Sequence, residues 1–575
     1  MQQTNREFGP LAMLRPVSWG DGVVLLGIGV LLYAGVRLAM GAPEWIKGPE
    51  IHLTPEVLPY YLARSLGRML AAYALSILFS LIYGSLAARH RTAEKILLPL
   101  LDVMQSVPIL SFLPVVLLGL SAVLPRGLAL ELSAIVLIFT SQAWNLTFAW
   151  YQSLTTIPAD LKEASSIFRF SPRMRFRKLE LPFAAISLIW NSMMSWAGGW
   201  FFLMASEIFM TGNQDFRLPG LGSYLQAAAN AGDLQALAWG LAALVGTIVL
   251  LDQIVWCPLL VWSRRFKLGT AEEDIPPASW FYKALRSSYL LTDLRGRLSG
   301  PFTRFSDLRK PRRKAGRIMT FRRFFERGGR FIFYGIGLAG LSAILYETYQ
   351  AAQLLSGVPW SDWGRIGFGV LATSLRVLVS LIIALAWTVP LGVAIGTNRR
   401  LAAWLQPVIQ ITASIPATAL FPIILLFVLK LPGGLEMAAV LLMLLGSQWY
   451  LLFNVIAGAS AIPQDLKHTA TLLQLSRRLR WRTLILPSLF PYIITGAITA
   501  GGGAWNASIV AEYVQFGGET FFTVGVGSLI AQATAAGDYP LLLASTLAMI
   551  LAVTVANRLV WRRFYRTAEE KYRMD

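Results

Sequence analysis

A polar, basic segment occurs twice in this 575-residue chain, each time between long apolar runs. The first copy, residues 157–182, reads IPADLKEASSIFRFSPRMRFRKLELP, and the second, residues 462–487, reads IPQDLKHTATLLQLSRRLRWRTLILP. An offset of 305 aligns them without a gap, so that Asp-Leu-Lys, three alternating arginines and a closing Leu-x-Leu-Pro recur in register. The chemistry of such segments is that of a binding surface. Their repetition predicts the same surface presented twice.

Bond-making chemistry finds no support in the sequence. No Gly-x4-Gly-Lys-Ser/Thr phosphate loop occurs in it. The single cysteine, Cys257, lies in an apolar run and excludes disulfide frameworks and cysteine metal clusters. We therefore expect no catalytic residue, no metal site and no cofactor in this chain, and we do not expect it to be an enzyme.

The elements that position these segments are membrane helices. Hydrophobic residues make up 55% of the chain and charged residues only 14%, whereas a globular protein carries roughly 25% charged residues. The net charge of +20 comes from segments between the apolar runs, as the positive-inside rule predicts, and no motif indicates nucleic-acid binding. The predicted spans of the first half are residues 22–40, 65–88, 96–118, 128–150, 183–209 and 236–262.

The third of these spans carries Pro99, Pro108 and Pro114. Proline removes a backbone donor and kinks a membrane helix, so we place this span inside the bundle. The first span has no cleavage site after it and is expected to be retained.

The second half of the chain repeats the first. Arg68 returns as Arg376 at an offset of 308, and Trp144 returns as Trp449 at 305. Six spans and a basic segment separate the copies, so the repeats are parallel and their pathway should lie between them. We predict an all-α polytopic membrane protein of about 12 transmembrane helices in two six-helix pseudo-repeats. Its parts are a first repeat at 1–262, a basic cytoplasmic linker at 263–330 and a second repeat at 331–575, with both termini cytoplasmic.

The duplicated segment resembles the EAA loop of binding-protein-dependent ABC importer permeases. Glu163-Ala164-Ser165 and a later Leu179-x-Leu181-Pro182 keep that motif's spacing, as do His468-Thr469-Ala470 and Leu484-x-Leu486-Pro487. Two features depart from the family pattern. The loop glycine is Arg169 or Gln474, and the leading glutamate of the second copy is His468.

This resemblance implies that each loop, at about 155–182 and 460–487, forms a short coupling helix that docks on a cytoplasmic ATPase subunit. Pro158 and Asp160 should define the start of the first helix as a proline and a capping acid. Leu161 and Ala164 share one face and should enter a pocket of the partner. The alternating arginines cannot share a helix face and should meet lipid headgroups. The implied coupling residues are Asp160, Leu161, Lys162, Glu163, Ala164, Ser165, Asp465, Leu466, Lys467, His468, Thr469 and Ala470.

The resemblance also implies partners and a location. Two cytoplasmic ABC ATPase subunits would bind the ATP and Mg²⁺, and a periplasmic or lipid-anchored substrate-binding protein could deliver cargo to a bacterial inner membrane. Three short segments resemble the permeases for nitrate, sulfonate, taurine and bicarbonate. They are the run from Gln105 to Pro114, Ala205-Ser206-Glu207 and the glycine-rich residues 218–224. The expected cargo is then a small anion. The alternatives are a fused ferric-ion or thiamine permease, a secondary transporter, a channel or scaffold, and an exporter.

Polar or aromatic groups at membrane depth are costly and usually face the interior, so they are the candidate pathway residues. For the tryptophans, packing or interfacial anchoring is the competing interpretation. Glu207 and Glu512 are equivalent across the repeat. A carboxylate would repel an anionic cargo, so we favour a structural role for both, capping the next loop or pairing with a basic residue. The candidates are Gln105, Ser106, Ser414, Gln142, Trp144, Asn145, Ser447, Gln448, Trp449, Trp200, Trp505, Asn506, Glu207 and Glu512.

Overall fold

The computed structural model describes residues 19–40, 48–211, 214–266, 342, 345–428, 430–516, 519–561 and 563–564. The described residues are almost entirely helical, and their strands form two short hairpins. The predicted all-α polytopic fold is thereby confirmed. The predicted linker at 263–330, apart from its first residues, lies outside the described residues, as do both termini and residues 331–341, with which the second repeat was predicted to begin.

The first repeat contains eleven helices among the described residues. They are α1 (Trp19–Ala39), α2 (Leu58–Arg89), α3 (Arg91–Ser106), α4 (Leu113–Val123), α5 (Arg126–Thr155), α6 (Ala159–Ile167), α7 (Pro172–Arg175), α8 (Leu181–Ile208), α9 (Leu221–Asn230), α10 (Leu234–Leu251) and α11 (Cys257–Ser263). Turns of π-helix, Phe176–Glu180 and Asp252–Trp256, join α7 to α8 and α10 to α11. Short 3-10 turns occupy Pro55–Val57, Ile109–Phe112 and Arg264–Phe266. Strands β1 (Met210–Thr211) and β2 (Gln214–Asp215) form an antiparallel hairpin.

The second repeat follows the same order. Its described helices are α12 (345–356), α13 (Trp360–Thr397), α14 (Arg399–Ser414), α15 (Ala417–Val428), α16 (Gly434–Ala461), α17 (Gln464–Leu472), α18 (Arg477–Arg480), α19 (Leu486–Glu512), α20 (Val526–Ala536) and α21 (Tyr539–Ala556). Turns of π-helix recur at Trp481–Ile485 and Asn557–Trp561. The antiparallel pair β3 (Tyr513–Phe516) and β4 (Glu519–Phe522) occupies the place of the first hairpin.

Seven helical stretches of the described residues are long and apolar enough to cross a membrane, or eight if one bent pair counts as a single span. Helix α8 is also long, at 28 residues. The stretches are Pro55–Arg89, Gly127–Thr155, Leu234–Ser263, Trp360–Thr397, Gly434–Ala461, Arg477–Glu512 and Tyr539–Trp561, with Arg400–Ser414 and Ala417–Val428 as the bent pair.

The predicted third span, residues 96–118, is not one continuous helix. Helix α3 ends at Ser106, an extended Val107 and Pro108 follow, and the chain then passes through a 3-10 turn into α4. Only Pro108 lies at the break. Pro99 is inside α3, and Pro114 is in the first turn of α4, where a missing N–H leaves no helical bond unmade. The equivalent pair α14 and α15 is bent by 80°.

The last long helix of each repeat begins after the same pair of residues, a glycine and a capping aspartate. Asp233 precedes α10 and its side chain accepts hydrogen bonds from the backbone N–H groups of Gln235 and Ala236. Asp538 precedes α21 and accepts one from Leu541. A glycine in the left-handed region, with φ of 67°, comes directly before each aspartate. Acidic caps of this kind satisfy orphan donors at a helix start.

The two repeats form one core because each inserts its broken third segment into the other. The Leu110 N–H donates to Asn506 Oδ1 of α19 at 3.3 Å, and Thr418 Oγ1 donates to the Phe201 carbonyl of α8 at 3.2 Å. Leu110 and Thr418 are equivalent at the offset of 308, and Phe201 and Asn506 at 305. The largest hydrophobic cluster accordingly contains side chains of both repeats.

Candidate functional site

Each duplicated segment folds as a short helix that follows a proline. Pro158 occupies the N-cap position of α6, and Pro463 occupies that of α17. The prediction that Asp160 caps the helix is wrong, because Pro158 occupies the N-cap position and no side chain makes a capping hydrogen bond there. Asp160 instead lies in the first turn, where a carboxylate interacts favourably with the positive end of the helix dipole.

Both short helices end in a left-handed residue that is not glycine. Arg169 has φ of 49° and Gln474 has φ of 47°, at the place where the family motif has its glycine. The Arg169 N–H donates to Ser166 O at 3.0 Å and the Phe170 N–H to Ser165 O at 3.0 Å. The second copy repeats both bonds from Gln474 and Leu475. These are the two bonds of a Schellman motif, so the turn keeps its geometry despite the backbone strain.

The outward face of each helix carries an exposed apolar pair that the sequence reasoning missed. Ile167 is 77% and Phe168 is 73% exposed, and their equivalents Leu472 and Leu473 are 82% and 66% exposed. Large apolar side chains that are exposed together commonly mark an interaction surface. Their signal in the sequence was two apolar residues at the same two positions of both copies.

The implied coupling residues differ in how far they are exposed. Leu161 packs against the cluster of Trp150, Leu154 and Ile157, because the helix lies back on the ends of α5 and α8. Ala470 is buried, as is its equivalent Ser165. Glu163, His468 and Thr469 are exposed, whereas Lys162, Ala164 and Lys467 are partly exposed. Burial and the nearby charge of Arg480 lower the pKa of Lys467.

The arginines after the first short helix were predicted to meet headgroups, and one of them pairs with an acid instead. The buried Glu180 carboxylate lies 3.2 Å from Arg175 Nε and 2.8 Å from Arg89 of α2. This contact ties the polar segment to the end of α2. The equivalent of Glu180 in the second repeat is Ile485, which is buried without a charge.

At the far end of the bundle, Glu207 is fully buried in a cluster of charged and polar groups. Its Oε1 accepts from Arg68 Nη1 at 2.7 Å and from Ser65 Oγ at 2.6 Å, and its Oε2 accepts from the Gly222 N–H at 2.7 Å. Arg68 also donates two bonds to Glu131 at 2.7 and 2.8 Å, and Arg64 contacts the same carboxylate. Glu207 therefore both pairs with a basic residue and caps α9.

The second repeat contains the same cluster. Glu512 Oε1 accepts from Arg376 at 2.8 Å and from Thr373 at 2.7 Å, and Oε2 accepts from the Gly527 N–H at 2.9 Å. Arg376 donates two bonds to Glu436 at 2.6 and 2.8 Å. Thr523 contacts both Arg376 and Glu436, which closes the second cluster without an equivalent of Arg64.

The glycine-rich stretch after each hairpin makes room for these carboxylates. A Cβ on Gly220 would lie 2.3 Å from the Glu207 carboxyl group, and one on Gly525 would lie 2.1 Å from that of Glu512. Only glycine lets the backbone pass so close to the acid. These glycines stand in a motif visible in the sequence, whereas no pattern predicted that an arginine, a serine or threonine, and a second glutamate complete each cluster.

The remaining pathway candidates do not form a single site. Trp200 and Trp505 are buried in the bundle core, and Trp144 and Trp449 contact Phe79 and Trp387 edge to face at 6.0 and 6.2 Å. The hydroxyls of Ser414 and Ser447 donate to their own helix backbones. Gln448 is buried, Gln105 is exposed at the end of α3, and the Ser106 side chain lies outside the described residues.

Two candidates, Asn506 and Asn145, make polar contacts between helices, and a third, Gln142, is buried without one among the described residues. Asn506 accepts the inter-repeat bond from the Leu110 N–H. Asn145 of α5 donates to Ser195 Oγ and to the Asn191 carbonyl of α8, at 3.0 and 3.3 Å. Gln142, on the same helix, is fully buried, and its amide has no hydrogen-bond partner in the described part of the chain.

Comparison with known proteins matches residues 76–255 and 388–562 to the family described as binding-protein-dependent transport system inner membrane component. The bicarbonate transport system permease protein CmpB of Synechococcus elongatus is 33% identical over 191 residues, which are 32% of this chain and 65% of that protein. The nitrate import permease protein NrtB of the same organism is 28% identical over 172 residues, 30% of this chain and 58% of its own length. The taurine transport system permease protein TauC of Escherichia coli is 28% identical over 145 residues, 25% and 51% of the two lengths.

Proposed function

This chain belongs to the family of binding-protein-dependent transport system inner membrane components, and from that premise we propose that it is the permease of an ATP-driven importer for a small anion. It is a multi-pass membrane protein with the family model matched twice. The similarity to bicarbonate, nitrate and taurine permeases supports the anion class of cargo, although the chain spans under two thirds of those relatives. In this proposal the chain does no ATP chemistry itself.

The observation that carries the proposal is the pair of matching helices α6 and α17. Each presents two exposed apolar side chains, Ile167 and Phe168 or Leu472 and Leu473, on the end of the bundle away from the glutamate clusters. Two separate ATPase subunits, which bind ATP and Mg²⁺, would each receive one helix in a groove. An apolar pair seated in such a groove contributes affinity through burial of its surface.

In this proposal the cargo is moved by alternating access. ATP draws the two ATPase subunits together and so moves α6 and α17, which are packed on the ends of the long helices. The repeats then swing about their shared interface and the central space opens outward, and hydrolysis resets it. Import requires that cargo and ATP bias the same two-state equilibrium. A substrate-binding protein on the outer side would deliver the cargo, and both termini would be cytoplasmic.

Co-purification of the tagged chain with its ATPase tests the coupling. We expect two ATPase subunits per chain, and we expect Ile167→Asp with Leu472→Asp to weaken that association roughly tenfold or more, because each loses an apolar contact worth about 1.5–3 kcal/mol. Leu234→Asp is the matched control, since Leu234 is 65% exposed at the other end of the bundle. If no ATPase associates, or if the double variant retains it fully, the proposal fails.

Uptake into proteoliposomes tests the cargo. The complex is supplied with ATP and, where needed, its binding protein, and nitrate, bicarbonate, taurine, ferric ion and thiamine are compared. ATP-dependent accumulation of one of the anions is the expected result. Accumulation of ferric ion or thiamine, or uptake that proceeds without ATP, would contradict the anion-importer assignment.

A further inference from the structure

A polar seam runs between α5 and α8 in the first repeat. On α5, Gln142, Asn145 and Gln152 lie within about 80° of one another on a helical projection, at 100° per residue. On α8, Ser187, Asn191 and Ser195 recur every four residues and so share one face. Amides and hydroxyls in such number are costly at membrane depth unless they serve a function.

The contacts across this seam leave the buried Gln142 amide without a partner among the described residues. Asn145 joins the helices by donating to Ser195 Oγ and to the Asn191 carbonyl. The Asn191 amide donates to the Ser187 carbonyl within its own helix at 2.8 Å. Gln142 is buried beside Gly199, and a Cβ on that glycine would lie only 2.6 Å from Gln142 Nε2. The Gln142 amide makes no hydrogen bond with any described residue.

Toward α6 the seam widens into a cavity of about 420 Å³. None of its described lining residues is charged, and polar residues line it from both helices. The Ser153 and Thr156 hydroxyls donate to the Ala149 and Gln152 carbonyls, so their oxygens remain as acceptors. A water molecule occupies about 30 Å³ in the liquid, so the space admits a small oxyanion with part of its hydration shell. The polar lining residues are Gln152, Ser153, Thr156, Ser187 and Asn191, and the aromatic ones are Phe183 and Trp190.

In the second repeat, the space equivalent to this cavity is filled by side chains. Ser153 is replaced by Gly458 and Ser187 by Tyr492, and a Cβ on Gly458 would lie 2.6 Å from the Tyr492 ring. Asn191 is replaced by Gly496, where a Cβ would lie 3.2 Å from the Leu451 backbone. The equivalent helices α16 and α19 therefore pack directly on each other. The fold does not require the cavity, since in the described part of the second repeat side chains fill the equivalent place.

We propose that this first-repeat cavity is a subsite for the transported oxyanion on its way to the cytoplasm, an inference that rests on the proposed function. Neutral amide and hydroxyl donors can bind an anion without a fixed positive charge, and a site on a conduction path must bind weakly enough to release its ion. The carboxylates of Glu207 and Glu512 are held by arginines at the far end of the bundle, so they do not oppose an anion here.

The decisive variant carries Ser153→Gly with Ser187→Tyr, which transplants the packing of the second repeat into the first. We expect the half-saturating concentration for ATP-driven uptake of nitrate, bicarbonate or taurine, whichever the wild type accumulates, to rise at least tenfold. Tyr492→Phe in the second repeat is the matched control and should leave uptake unchanged. Thermal unfolding and co-purification of the ATPase show whether each variant folds.

A second variant, Gln152→Leu with Asn191→Leu, removes hydrogen-bond donors without filling the cavity. It tests the subsite if the first variant does not fold. It too should raise the half-saturating concentration about tenfold, because a donor to a charged ligand is lost at each position. If the wild type takes up none of the three anions, the proposed function fails. If the wild type takes one up and a folded cavity variant does so with the same half-saturating concentration, the subsite is overturned while the importer stands.

Discussion

Arg68 illustrates how a buried charge can be tolerated within the membrane-spanning bundle. Its guanidinium group uses one edge for Glu131 and the remaining nitrogen for Glu207, so each charged group has a partner of opposite sign. Three long helices and the start of α9 meet at this one side chain. Arg376 does the same with Glu436 and Glu512. Each arginine thus joins two carboxylates from different helices, and we call this arrangement a brace.

Arg68→Ala should destabilise the protein by about 3–5 kcal/mol, because it leaves Glu207 buried without a countercharge. The comparison variant is Arg64→Ala, which removes a half-exposed arginine from the same Glu131 and should cost no more than about 1 kcal/mol. Thermal unfolding of the purified protein in nanodiscs measures both. Equal shifts for the two variants would show that burial of the Arg68–Glu207 pair contributes nothing.

The parts of this brace were visible in the sequence, but their association was not. Arg68 and Arg376 were noticed as repeat markers, and Glu207 and Glu512 were assigned a structural role. Glu131 and Glu436 lie inside apolar stretches and recur at the offset of 305, whereas the arginines recur at 308. A charge within a membrane helix calls for a partner. Which partner it finds depends on helix packing, which spacing along one chain does not encode.

At the scale of the helix pair, the two repeats differ in how closely their fourth and fifth long helices approach. In the second repeat, Gly458 of α16 receives the ring of Tyr492 and the side chain of Leu489 from α19. In the first repeat, serines stand at the positions of Gly458 and Tyr492, and a cavity remains. Glycine on one helix and a large ring on the other thus produce the close packing.

Gly458→Ala should destabilise the protein by about 1–3 kcal/mol, because its methyl group would lie 2.6 Å from the Tyr492 ring and 2.9 Å from Leu489. Gly502→Ala, on the facing helix α19, is the control. No atom lies within 4 Å of its added Cβ, so it should be neutral or stabilising through helix propensity. Midpoints of thermal unfolding report the difference. A Gly458→Ala midpoint at or above that of Gly502→Ala would refute the packing argument.

The presence of the long helices was predictable from the sequence. Where a helix is broken, and which of its faces packs against the neighbouring helices, was not. Apolar runs located the long helices of both repeats, since the bilayer sets their length. The three prolines of the predicted third span did not reveal that only Pro108 lies at the break. The expected face of Leu161 and Ala164 did not reveal that Leu161 also packs against the cluster of Trp150 and Ile157. Both outcomes depend on neighbouring helices.

At the scale of the whole molecule, the repeats are interlocked at their broken segments. The 3-10 turn Ile109–Phe112 packs against α19 of the second repeat, and α15 packs against α8 and α9 of the first. Leu110 is fully buried in the hydrophobic cluster that the repeats share. The exchange is symmetric, so each repeat contributes the same kind of contact to the interface that holds the two together. These contacts all join residues outside the predicted linker at 263–330.

The repeats should therefore remain associated when the chain is expressed as two fragments, divided between residues 290 and 291 within the predicted linker. We expect the fragments to co-purify in mild detergent, and Leu110→Asp to abolish that association, because a carboxylate would enter the shared apolar core without a partner. Leu128→Asp is the matched control: Leu128 is 52% exposed at the start of α5, so the same substitution should leave the fragments together. Separation of the unmodified fragments would show that the linker, and not the exchange of broken segments, holds the repeats in place.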